Sequence, residues 1–469
     1  MNRESLKLWL LGLFLALHSA GADEYRSFTG TNGKVIEARI LSASATEATI
    51  EMKGGQQFTL PLAKFSGEDQ IYIRNWSAKP PASQSLNGVT ADMMNEAFGL
   101  DVFGTAALWE ETDETVAERL GWKRESKTDF VSSYRTYLRK DTLYLGARPF
   151  TASMYADDGA VTSLSMVFAN KGDSVSDSGE IKSLEEWMDR DVEIISSTLS
   201  ELLGEGERQR FGDGAGRMTA IRWDWGSHAI LLFEAPEEYV SLGIQPTVFA
   251  DQGGKVDRVP ETMLRKRVRE NVERRDNGDV VVRNIPMVDQ GPKGYCVPAT
   301  YERCMRYLGV PADMYILAMT GDTSAGGGSS IQSMKDGAER DIRRKGRTID
   351  QFSGELTTRA VAKYIDKGLP VMWTMYSTDP FNKIANERTK ARLEVADWAA
   401  WASEIEEEAE SRELEKDRNS AHITLIVGYN KDTGEIAFSD SWGERYLERW
   451  VTAKEAEEIS QSAFQVVDF

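Results

Sequence analysis

Three side chains that can do chemistry together are Cys296, His422 and Asp440, far apart in a chain of 469 residues. Cys296 ends the turn-rich stretch Gln290-Gly291-Pro292-Lys293-Gly294-Tyr295. Directly after it, Val297, Tyr301, Cys304, Met305 and Leu308 fall at i, i+4, i+7, i+8 and i+11, one stripe of a helix. Pro298 suits the first helical turn, where its missing N–H costs nothing. Cys296 is therefore expected at a helix N-terminus, where unpaired N–H groups and the helix dipole favour the thiolate, the nucleophilic form. A nucleophile also needs a base, and the base needs a group to orient it. His422 opens the apolar run Ile423 to Tyr429, which reads as a buried strand. Asn430 to Gly434 reads as a turn, Glu435 to Ser439 as a returning strand, and Asp440 ends it. A hairpin of this length brings Asp440 beside His422. Gln290, six positions before Cys296, can offer a side-chain amide to an oxyanion.

Cys304 lies inside the apolar stripe and reads as a small core residue. Eight residues of helix hold the two cysteines about 12 Å apart, too far for a disulfide. His228 begins a strand and reads as structural. No Cys/His spacing fits a metal, and Gly326-Gly327-Gly328-Ser329-Ser330 lacks the lysine of a phosphate loop, so no cofactor is expected. The net charge of −19 argues against nucleic-acid partners.

The elements that must position these residues follow in chain order. Residues 1–22 read as a signal peptide: Arg3 and Lys7, the apolar run Leu8 to Leu17, then Ala20-Gly21-Ala22 before Asp23. Export to the periplasm or the extracellular space is expected, with no membrane span left after cleavage. Residues 23–78 alternate apolar and polar at Ile36, Ala38 and Ile40, at Ala48, Ile50 and Met52, and at Phe58, Leu60 and Leu62, the period of half-buried strands. Residues 79–90 read as a linker. Residues 91–250 form an α+β region of two loosely similar halves, each a helix (Ala106 to Leu120; Asp191 to Leu203) followed by strands (Ser133 to Leu138, Thr151 to Tyr155 and Val161 to Phe168; Met218 to Trp223 and Ala229 to Ala235). Residues 251–280 read as a charged connecting helix, with Leu264, Val268 and Val272 on one side. Between Tyr376 and His422 lies a long acidic insertion with helical spacing of Leu393, Trp398, Trp401 and Ile405. Two placements of it are open: over the catalytic cleft, favouring basic substrates, or as a solvated hairpin behind the domain.

The Gln-Gly-x-x-Gly-x-Cys stretch, the later histidine and Asp440-Ser441-Trp442-Gly443 resemble papain-like cysteine peptidases, and most of all the bacteriocin-leader (double-glycine) peptidases. The resemblance covers roughly residues 281–469. It implies a papain-like fold with Cys296 as nucleophile, His422 as general base, Asp440 as orienting group and Gln290 as oxyanion donor. Relatives with an amide in the third position imply that Asp440→Asn keeps part of the activity. The chain lacks the transporter and ATPase domains of leader peptidases, so a dedicated export-processing role is not expected. Residues 23–78 resemble the Sla-type homology domain, a small Src-homology-3-like barrel, through Arg26-Ser27-Phe28, Gly33 to Ala38, Leu60-Pro61-Leu62, Phe65 to Gln70 and Trp76. That family implies a protein or peptide ligand. The combined reading is an exported, multi-domain α+β protein whose C-terminal thiol hydrolase cleaves peptide or amide bonds. A papain-like binding or adaptor protein, and a thiol acyltransferase or amidase on another substrate, are the alternatives.

Overall fold

A computed structural model describes residues 25–31, 33–43, 47–53, 56–77, 88–173, 183–211, 218–253, 261–291, 294–321 and 328–469. The proposed signal peptide lies outside the described residues. The described chain is α+β, with three antiparallel sheets, and divides into two compact units, 1–85 and 86–469. No described helix is long and apolar enough to cross a membrane.

The first unit is a four-stranded meander of β1 (Arg26–Thr29), β2 (Val35–Ala43), β3 (Glu47–Met52) and β4 (Gln57–Pro61), followed by α1 (Gly67–Ser77). Period two puts Ala38 and Ile40 on the same face as Ala48 and Ile50, with Ile40 opposite Ile50. Phe28, Leu62, Phe65 and Ile73 close this core. Phe58 instead faces solvent. Buried Asp69 accepts from the Thr29 N–H (2.6 Å), the Ser66 hydroxyl (2.8 Å) and Arg26 (3.0 Å), fixing α1 to β1.

The second unit starts with α2 (Ala91–Phe98) and α3 (Asp113–Leu120), then β5 (Arg124–Lys127), β6 (Val131–Tyr137), β7 (Thr151–Asp157) and β8 (Ala160–Asn170). Next come α4 (Leu184–Leu203), β9 (Glu207–Phe211), β10 (Met218–Trp225), β11 (His228–Ala235), β12 (Tyr239–Pro246) and the single turn α5 (Thr247–Ala250). The eight strands form one sheet in the order β5-β6-β7-β8-β12-β11-β10-β9. Each half is a helix plus a four-stranded meander, and the last strands of the halves pair antiparallel, Met166 opposite Leu242. The order reads alike from either edge, as the two-halves reading of the sequence anticipates. His228 is structural: its Nε2 accepts from the Leu108 N–H at 3.1 Å, and burial lowers its pKa to about 4.

The expected connecting helix over 251–280 is shorter than its charge pattern suggested. Helix α6 (Glu261–Glu270) gives way to β13 (Val272–Arg274) and β14 (Asp279–Val282), which already belong to the C-terminal sheet. Gly278, with φ 86°, makes the intervening turn, which no helix can follow. After α7 (Cys296–Tyr307), α8 (Met314–Thr320), α9 (Ile331–Arg344), β15 (Thr348–Ser353) and α10 (Thr358–Ile365) come β16 (Val371–Tyr376), α11 (Asp379–Ala391) and α12 (Trp398–Glu410). The chain ends with β17 (Ala421–Asn430), β18 (Glu435–Ser439), β19 (Arg449–Thr452), α13 (Ala453–Ile459) and β20 (Ser460–Asp468). The sheet order is β13-β14-β17-β16-β20-β15, and β18 pairs with β17 and β19.

Helix α7 is buried on two sides, so it lacks the polar face of a surface helix. Val297, Tyr301, Cys304 and Met305 pack into the C-terminal core. Ala299, together with Tyr295 just before the helix, packs into the core of the middle region. The one acidic side chain of α7, Glu302, is fully buried and meets Arg135 of β6 at 2.9 Å. Arg135 also binds Glu125 (2.9 Å) and lies 3.6 Å from Asp313. A buried charge persists only when paired, and this cluster pairs it across the seam between the two regions. The middle region is thus not a separable neighbour of residues 281–469. The two share the helix that Cys296 begins.

Candidate active site

The local sequence puts Cys296 where its thiol is activated. It is the first residue of α7 and only partly buried. Pro298, in the first turn, has no N–H to leave unpaired. His422 is the second residue of β17, opposite Met375 on β16. The hairpin of β17 and β18 puts Ser439 opposite Leu425 and delivers Asp440 to His422. The His422 Nε2 lies 2.9 Å from Asp440 Oδ1, and the ring is near enough to the Cys296 thiol for each group to shift the other's titration. Gln290 sits on the same end of the sheet: its N–H donates to the Ser441 carbonyl at 2.9 Å. All four residues named from the sequence therefore gather around one sheet end. Lys293 and Pro292 of the same stretch lie outside the described residues.

Electrostatics favour an ion pair between thiol and imidazole. Burial alone would raise the Cys296 pKa; the hydrogen bond and charge of His422, with the N–H groups of Ile423 and Val297, outweigh it and lower it. Burial disfavours the His422 cation, but Asp440 and Cys296 outweigh that, and its pKa is raised to about 9. Asp440, too, is held below the ordinary carboxylate range despite burial, by His422 and Arg449. Cys304 behaves oppositely: burial pushes its thiol up to about 12. The sign of the Cys296 shift sets an expectation. Its alkylation by iodoacetamide should rise with pH at lower values than for an ordinary thiol. In His422→Ala the rise should move to higher pH. Mass spectrometry of the modified peptide checks this; identical profiles for the two proteins would remove the ion pair.

Several residues of the site escaped the sequence reading. Arg449, fully buried, pairs with the second oxygen of Asp440. Its other nitrogen donates to Asn382 (3.0 Å) and Asn386 (3.2 Å) of α11. Trp442 stacks on His422 with ring centres 4.9 Å apart, a contact that favours the cationic imidazole. Arg303 of α7 donates to the Pro286 and Ser439 carbonyls, each at 3.0 Å, and so ties the Cys296 helix to the strand that ends at Asp440. Nothing in local spacing marks these arginines, because their partners lie elsewhere in the chain. Asp440-Ser441-Trp442-Gly443 did contain the tryptophan, without indicating its face-to-face contact.

The placement of the acidic insertion over the cleft is not what the structure has. Helix α12 sets Trp401 against Glu435 (3.2 Å), which pairs with Asn430. His422 lies eight residues back along β17, roughly 25 Å away at the rise of a strand. Glu404, Glu406, Glu407 and Glu410 face solvent there. The first turns of α11 bear on the site through Arg449.

Residues 282–464 match the family model described as "Peptidase_C39 like family". The C-terminal part of the chain is thus similar to peptidases of the cysteine type. Among solved structures, the peptidase domain of Streptococcus ComA, a bi-functional ABC transporter involved in a quorum-sensing pathway, is similar at 9% identity. The similarity covers 39% of this chain and 98% of that one, with a TM-score of 0.26. No curated protein sequence matches the chain.

Proposed function

We propose that this protein is an exported papain-like thiol hydrolase that cleaves peptide or amide bonds. The observation that carries the reading is the placement of His422, whose Nε2 lies 2.9 Å from Asp440 and whose titration is coupled to the helix-start thiol of Cys296. The Cys296 thiolate attacks the carbonyl carbon, and the oxyanion is held by the Cys296 N–H and the Gln290 amide. His422 gives its proton to the leaving amine. It then takes one from water, which attacks the thioester and releases the acid. Asp440 keeps the imidazole oriented and stabilises its cation. No cofactor takes part in this scheme. The substrate is a peptide or protein. The first unit, read as a Sla-type barrel, is an adaptor for a protein or peptide ligand.

The test is substrate profiling. A proteome-derived peptide library is treated with wild-type protein and with Cys296→Ala, and new termini are read by mass spectrometry. Termini generated only by the wild type support the reading. Transfer of the acyl group to added amines in place of water would make the protein an acyltransferase, and no Cys296-dependent product would make the site a binding cleft. Export rests on the basic start, apolar run and small-residue site of residues 1–22. The mature chain is expected to begin at Asp23; an intact mass that retains Met1 would count against it.

A further inference from the structure

The chemistry proposed above needs the Gln290 amide at a fixed place beside Cys296, yet Gln290 lies in a segment with no regular structure between β14 and α7. Backbone polar groups in such a segment need partners from elsewhere. Here the middle region supplies them, outside the span that matches the peptidase family. Asp289, the residue before Gln290, has both backbone groups taken by side chains of that region. Its N–H donates to Glu125 Oε1 at 3.0 Å, and its carbonyl accepts from the Tyr137 hydroxyl. Two residues earlier, the Met287 N–H donates to the Ser126 hydroxyl at 2.9 Å.

On the other side of Gln290, Gly291 adopts φ 66° and its N–H bonds to the Asp289 carboxylate at 2.9 Å. The Tyr137 ring lies so close that a Cβ at Gly291 would come within 2.7 Å of it. Glycine is thus required twice over, by its backbone and by the ring. Glu125 is in turn held by Arg135 (2.9 Å) and the Ser133 hydroxyl (3.2 Å). Arg135 is the residue that grips Glu302 of α7. One buried guanidinium therefore joins β6 to the Gln290 segment, through Glu125, and to the Cys296 helix directly.

We infer that Glu125 and Tyr137 are positioning residues for Gln290, which makes the middle region part of the hydrolytic apparatus and not an appended binding module. This rests on reading Cys296 as nucleophile and Gln290 as oxyanion donor. Displacement of a catalytic group by about 1 Å can cost about a hundredfold in rate. A single hydrogen bond to the neighbouring residue is expected to cost less.

The experiment uses the full chain and p-nitrophenyl acetate, an ester that needs no substrate specificity. The thiolate forms a C–S bond to the acetyl carbon, the C–O bond to nitrophenolate breaks, and water then cleaves the thioester to acetate and thiol. Both steps pass through an oxyanion. Tyr137→Phe removes only the hydroxyl and keeps the ring against Gly291. It is expected to lower kcat about tenfold with KM within twofold of wild type. Alkylation of Cys296 by iodoacetamide, which forms no oxyanion, should stay within twofold over its pH profile. In a Gln290→Ala background, Tyr137→Phe should change kcat by less than twofold, since the two act through one group. Glu125→Gln, which keeps an oxygen for the Asp289 N–H, should retain more activity than Glu125→Ala.

Unchanged kcat in folded Tyr137→Phe, a loss that adds fully to that of Gln290→Ala, or a parallel fall in alkylation would each overturn the inference while leaving the site reading intact. Wild-type protein whose ester turnover does not depend on Cys296 would overturn the site reading, and the inference with it.

Discussion

Cys296→Ala is expected to lower peptide hydrolysis by about 10⁴-fold or more, the scale on which loss of a covalent nucleophile is felt. The protein should stay folded. Cys296 is partly exposed and makes no disulfide, and the α7 turn that follows is held by Tyr301 and Cys304 in the core and by Glu302 on Arg135. Cys304→Ala is the matched control. That thiol is enclosed and its pKa is pushed up, so it is inert, and its removal should cost on the order of 1 kcal/mol of stability. Steady-state rates with a peptide found in the profiling, together with thermal melts of both variants, decide the matter. Equal losses of activity in two folded proteins would end the assignment of Cys296 as nucleophile.

The second large effect is at Asp440, where the structure sets the size of an expected loss. Relatives with an amide in this position imply that Asp440→Asn keeps part of the activity. Here the carboxylate faces two donors, His422 on one oxygen and Arg449 on the other. An asparagine has one acceptor oxygen and one donor NH₂, so in either orientation its NH₂ meets a donor. Asp440→Asn is therefore expected to lose about 10²–10⁴-fold in rate, the upper end matching loss of the correct imidazole tautomer. It also leaves a fully buried guanidinium without its anion, which typically costs about 3–5 kcal/mol. Adding Arg449→Gln should restore much of the melting temperature without restoring the rate. Melting curves and kcat for the single and double variants test both halves. An Asp440→Asn protein as stable and as active as wild type would show that neither contact matters.

The contrast between Asp440 and Arg449 shows what was legible in the sequence. Cys296, His422 and Asp440 could be named because each sits at an element boundary with a local signature. An apolar stripe of helical period begins at Cys296, an apolar run follows His422, and a turn with Gly434 folds the strand back to Asp440. Of the middle-region strands, β6, β7, β8, β10 and β11 were legible, and β5, β9 and β12 were not. Arg449 pairs with asparagines more than sixty residues earlier, and Arg135 with a glutamate 167 residues later. Such pairings leave no periodic trace. The seam between β8 and β12 was hidden likewise, although the two halves were visible. The sequence leaves the placement of the insertion open because closeness along the chain to His422 does not fix closeness in space. A ten-residue strand carries one end of β17 far from the other.

The two-sided helix α7 has a consequence for heredity and for the bench. A gene segment starting near residue 281 would encode every residue proposed for catalysis, and by sequence matching it would pass for a transplantable module. Its product would carry Tyr295, Ala299, Met314, Tyr315, Ala318 and Met319 into water as an apolar patch, with Glu302 stripped of Arg135. Recombination at that boundary, or a truncation made there, would yield a sticky fragment with the segment around Gln290 cut off from Glu125 and Tyr137. A segment that starts where the second compact unit does, at residue 86, keeps both cores that α7 joins.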